Sequence, residues 1–172
     1  LKKEWKELLK KEGFPLIEKR DFPIDMEVSI NLFYSLCEVG KSANPHMAQQ
    51  VKKIENALQQ KRMDVKELVR SALQEEKVEQ AASALKLDKK VLLFLAYQSI
   101  KPSIDATVEK LQPEVEEEAW LKGHCPICGS QPDLSLFKGT EGKRYLHCSF
   151  CGHEWRFDRM TCPFCMSPNQ EA

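Results

Sequence analysis

Six of the seven cysteines fall in the last third of the chain as three Cys-x-x-Cys pairs: Cys125 and Cys128, Cys148 and Cys151, Cys162 and Cys165. Two residues between ligands allow a tight turn to aim both sulfurs at one ion, and the 19 residues between the first two pairs fit a four-cysteine metal site. Gly129 and Gly152 follow those pairs, where such a turn needs positive φ, and Pro126 stiffens the first of them. Between the pairs, "DLSLF" alternates apolar and polar residues, "KGTEG" is turn chemistry, and "KRYLH" and "HEWRF" alternate again. Two metal knuckles joined by a three-stranded sheet make a zinc ribbon or its relative, the rubredoxin fold.

Composition changes sharply near residue 123. Before it the chain has one cysteine, Cys37, and long stretches of Leu, Ala, Glu, Lys and Gln. The expected architecture is therefore α+β: a helical domain over residues 1–119, a four-cysteine module over 120–161, and a second module begun over 162–172.

The helical part reads from its caps and periodicity. A short amphipathic segment over residues 1–12 stops at Gly13. Met26, Ile30, Phe33 and Cys37 recur at helical steps, with Gly40 as the expected stop, so Cys37 faces a core. Asn44 with Pro45, then Asp64, then Asp88, are N-cap signals for further helices. The run Val91–Tyr97 is apolar on nearly every side, which predicts an enclosed helix ended by Pro102, with Ser103 capping a last one.

Charge and chemistry exclude several functions. Lys plus Arg and Asp plus Glu both total 26, and five of each follow residue 123, so there is no electrostatic footprint for nucleic acid. No apolar run of membrane-spanning length or secretory type occurs, and paired thiols in a helical protein fit a reducing cytoplasm. A closed four-thiolate site has no open position for substrate, so Cys125, Cys128, Cys148 and Cys151 read as a structural site for zinc or iron. Lys143, Arg144, Arg156 and Arg159 can offset its charge, while His124, His147 and His153 are spare ligands. Phosphate loops, nucleophile elbows and paired-histidine helices are absent, so the chain reads as no enzyme, without a small-molecule substrate. A nucleic-acid-binding ribbon and an iron-containing electron carrier are the competing readings. Phe150 and Phe164, at the knuckle tips, are candidate docking residues.

Residues Trp120, Gly123, Cys125, Pro126, Cys128, Gly129, Ser130 and Pro132, then "RYLHCSFC", Glu154, Trp155, Arg159, Cys162 and Cys165, together resemble the signature of the formate dehydrogenase accessory protein family, FdhE. The resemblance implies a cytoplasmic assembly factor with a helical domain and two rubredoxin-like modules. Such a factor associates with the catalytic subunit of formate dehydrogenase during maturation and is not itself the enzyme. It also implies a fourth Cys-x-x-Cys beyond the third. This chain ends seven residues after Cys165, so the expectation is a fragment whose second site, at Cys162 and Cys165, is incomplete.

Overall fold

The computed structural model describes residues 12–116 and 120–168. The expected helix over residues 1–12 lies almost wholly outside them. By internal contacts the chain divides into two units. One is Pro23–Ile104; the other joins the segment ending at Phe22 to the residues from Asp105 onward. The sequence-based boundary near residue 120 marks a change of composition, whereas this grouping follows contacts.

Five α-helices occur among the described residues: α1 (Met26–Ala43), α2 (Pro45–Gln59), α3 (Val65–Ser71), α4 (Glu75–Ala84) and α5 (Lys89–Leu111). Four start on side-chain caps the sequence supplies. Asp25 accepts a hydrogen bond from the Val28 N–H, Asn44 from Met47 and Asp64 from Lys66. Asp88 caps α5 through the N–H groups of Lys90 and Val91, and its own N–H donates to the buried Gln50 side chain. Phe33, Val51, Ile54, Val69, Val78, Leu92, Leu95 and Ile100 are all fully buried and form the core of the helical unit. Each such side chain contributes about 1.5–3 kcal/mol relative to exposure.

Four expectations need correction. Gly40 does not end α1, which continues to Ala43; instead it lets α2 approach closely. A Cβ at Gly40 would lie 3.1 Å from both the Met47 and Val51 side chains. Pro102 does not end α5, which runs through it to Leu111. Loss of one intrahelical hydrogen bond is offset where Ile100 and Ile104 are fully buried on either side of the proline. Ser103, expected as a cap, lies inside α5, and its hydroxyl accepts from the Asp25 N–H at 3.1 Å. Nor is α5 enclosed all round, since Phe94 remains half exposed.

The second unit carries one antiparallel sheet in the order β1 (Pro132–Lys138), β2 (Lys143–Cys148), β3 (Glu154–Arg156). Leu136 faces Tyr145 across β1 and β2, and Leu146 faces Trp155 across β2 and β3. Leu146 and Trp155 are fully buried, as is Ile127 of the first knuckle. The architecture is α+β with a zinc-ribbon-like module, as its alternation and knuckles imply.

Candidate metal centre

Each of the first two cysteine pairs is built by the same backbone turn. The Gly129 N–H donates to the Cys125 carbonyl and the Cys125 N–H to that of Ser130, both at 2.9 Å. The Gly152 N–H likewise donates to the Cys148 carbonyl at 3.2 Å, and the Cys148 N–H to that of His153 at 2.9 Å. Gly129 and Gly152 have φ of 74° and 76°, the left-handed region glycine enters without steric cost. The Cys151 N–H points at the Cys148 Sγ at 3.4 Å, the donor geometry that stabilises a thiolate.

These turns bring four buried sulfurs together. Sγ separations are 3.4 Å for Cys128 and Cys148 and 3.6 Å for Cys151 with either Cys125 or Cys128, and all four atoms lie within 4.8 Å of one another. Tetrahedral sulfur at the usual zinc distance gives separations of about 3.8 Å. None of the four cysteines is in a disulfide. The donor set therefore fits a single thiophilic ion, and the site could hold one. Burial pushes the Cys125 thiol up, while hydrogen bonds from Cys125 first, and then from Cys148, Cys151 and Ser130, hold Cys128 down. A divalent cation bound by four thiolates leaves a local charge of about −2.

The three histidines divide. The His124 Nε2 pairs with the Gly13 carbonyl at 2.9 Å, and the His147 Nδ1 with Asp133 at 2.7 Å. His153 is buried beside Cys148, its Nε2 has no hydrogen-bond partner among the described residues, and burial lowers its pKa. Of the cations expected to offset the cluster, Arg144 donates to Ser135 and to the carbonyls of Asp158, Arg159 and Thr161.

Two tryptophans hold the loop before the first knuckle. The Trp120 Nε1 donates to the His124 carbonyl at 2.8 Å and the Trp155 Nε1 to that of Lys122 at 3.2 Å. Sequence reasoning missed a strap formed by residues 13–22. The Leu16 and Ile17 N–H groups donate to the carbonyls of Pro126 and Ile127 at 3.0 and 2.9 Å. Phe22 meets Phe150 edge-on, and the Lys19 ammonium lies over the same ring. Phe150 is thereby buried, whereas Phe164 is 70% exposed.

The third pair forms the same turn as the first two. The Cys162 N–H donates to the Ser167 carbonyl and the Met166 N–H to that of Cys162, both at 2.9 Å. Met166 takes the position of Gly129 and Gly152, with φ of 57°. Cys165 is exposed and Cys162 half-buried, and backbone N–H groups of Cys165 and Phe164 lower the Cys162 thiol.

Residues 124–159 match the family model described as FdhE, central domain. A protein FdhE homolog of Aquifex aeolicus is 43% identical over 53 residues, which are 29% of this chain and 19% of that protein. One of Haemophilus influenzae is 50% identical over 46 residues, 26% of this chain and 15% of that one. The resemblance to the FdhE family stands. The crystal structure of the FdhE protein from Pseudomonas aeruginosa aligns with a TM-score of 0.53 and 22% identity. It covers 98% of this chain and 55% of the Pseudomonas FdhE chain, and at that identity it speaks for the fold. These two relatives match over less than a fifth of their own length, and the four clustered cysteines lie within the residues that the FdhE central-domain model matches.

Proposed function

We propose that the chain is a metal-stabilised accessory protein of formate dehydrogenase, acting in the cytoplasm by binding the immature catalytic subunit and supporting formation of the active enzyme. Cys125, Cys128, Cys148 and Cys151 hold one zinc or iron ion, which fixes a docking module and performs no turnover. The observation that carries this reading is the closed cluster of four buried sulfurs within the segment similar to the FdhE central domain. A closed thiolate shell leaves no coordination position for substrate. Of the expected docking aromatics only Phe164 is presented to a partner. Cys162 and Cys165 supply ligands to a second metal site, a role supported by backbone hydrogen bonds of the same pattern as those in the first two knuckles.

Affinity purification from cells making formate dehydrogenase tests the reading. The catalytic subunit is expected to co-purify with the intact chain and to be lost with Cys125→Ser. Its absence from the intact chain, with formate oxidation unchanged on gene deletion, would overturn it.

A further inference from the structure

Residues 13–22 grip both knuckles of the candidate metal centre. On the first, the Leu16 and Ile17 N–H groups donate to the carbonyls of Pro126 and Ile127, the two residues between Cys125 and Cys128. The His124 Nε2 pairs with the Gly13 carbonyl at 2.9 Å. A Cβ at Gly129 would stand 3.2 Å from the Pro15 Cγ, so the proline ring lies against the glycine that closes this turn. On the second, Phe22 and the Lys19 ammonium both meet the ring of Phe150, which lies between Cys148 and Cys151.

The strap has little structure of its own to hold it there. Its regular structure is one 3-10 turn, Lys19–Asp21. Two main-chain hydrogen bonds and a pair of ring contacts are weak beside the binding of one ion by four thiolates, which in small modules is itself folding free energy. The Pro126 and Ile127 carbonyls and the Phe150 ring are set by the two turns that carry the thiolates. The seat of the strap therefore exists only while those turns keep their shape.

We infer that seating of residues 13–22 is coupled to occupancy of the four-cysteine site: the ion holds the strap down over Phe150, and the strap in turn tightens the hold on the ion. The coupling is reciprocal, since whatever the ion contributes to docking of the strap, the strap contributes to binding of the ion. Contact with both ligand pairs ties the strap to the ion, because the ion is what joins the sulfurs of the two pairs. The strap is thus a latch that covers the tip of the second knuckle in the loaded chain and uncovers it when the ion is lost. This inference rests on the reading of Cys125, Cys128, Cys148 and Cys151 as one metal site and is independent of the formate dehydrogenase partner.

Amide hydrogen exchange on the full chain, loaded with zinc or emptied with EDTA, tests it. Emptying is expected to speed exchange at Leu16 and Ile17 by about tenfold or more, with Val51 in α2 unchanged. Ile17→Pro removes one of the two donors. It should weaken zinc by about tenfold in competition with a chromophoric chelator, as should Phe22→Ala, whereas Phe137→Ala, at a ring 61% exposed on β1, should not. The exchange measurement needs no variant and decides the matter should Ile17→Pro not fold. Exchange indifferent to zinc, an equal rise at Val51, or unchanged zinc affinity in both strap variants would overturn the coupling. Metal content is read on the same samples. A chain that takes up no metal overturns the four-cysteine reading as well, whereas one that takes up and releases zinc with the strap unmoved overturns this inference alone.

Discussion

The Phe22 ring stands edge-on to Phe150, at 87° with centroids 5.5 Å apart. A residue far along the sequence from the cysteines thus covers the tip of the second knuckle. Phe22 is itself buried, so Phe22→Ala removes a core side chain and uncovers Phe150 together. A loss of about 3–5 kcal/mol in module stability is expected, read by chemical denaturation. A change within error would mean that the strap adds nothing to the module.

Gly123 is buried against the third knuckle. A Cβ there would fall 1.7 Å from the Pro163 carbonyl oxygen, a distance only backbone movement can relieve. Gly123→Ala is expected to free the third knuckle and quicken alkylation of Cys162 and Cys165, while the four-cysteine site keeps its metal. Unchanged alkylation rates would contradict the close approach.

Met166 occupies a left-handed position that costs a side-chain-bearing residue about 1–2 kcal/mol, offset in part by the entropy glycine loses on folding. Met166→Gly should therefore stabilise the third turn slightly, seen as slower amide exchange at Cys162 and Met166. Faster exchange would show that the Met166 side chain contributes more than its backbone conformation costs.

Burial, with Glu55 and Glu38 adding to it, pushes the Cys37 thiol up from 9.0 to about 11. The folded state thus favours the neutral thiol, and the associated stability is fully present below pH 9 and is lost as pH rises towards 11. Thermal unfolding of the helical unit should fall across that window and fall less in Cys37→Ala. Cys37 should also resist alkylation under native conditions while Cys165 reacts. Equal rates for the two would contradict its burial.

What could be read from the residues follows from where the information lies. The metal module was legible because ligand spacing, turn glycines and strand alternation are local. Asn44, Asp64 and Asp88 announced their helices for the same reason. Gly40 and Pro102 misled because each is a local breaker overridden by packing: the first is where α2 comes close, the second is flanked by fully buried isoleucines. The strap at Leu16 and Ile17 was invisible, since its bonds join main-chain atoms more than a hundred residues apart and leave no side-chain signature.

The central claim is that Cys125, Cys128, Cys148 and Cys151 share one ion. X-ray absorption on the purified full chain, combined with its metal-to-protein ratio, tests this most directly. The account predicts one tightly held zinc or iron per chain with four sulfur neighbours at about 2.3 Å, lost in Cys125→Ser. A folded chain without metal, or one in which these sulfurs are joined as disulfides, would contradict it.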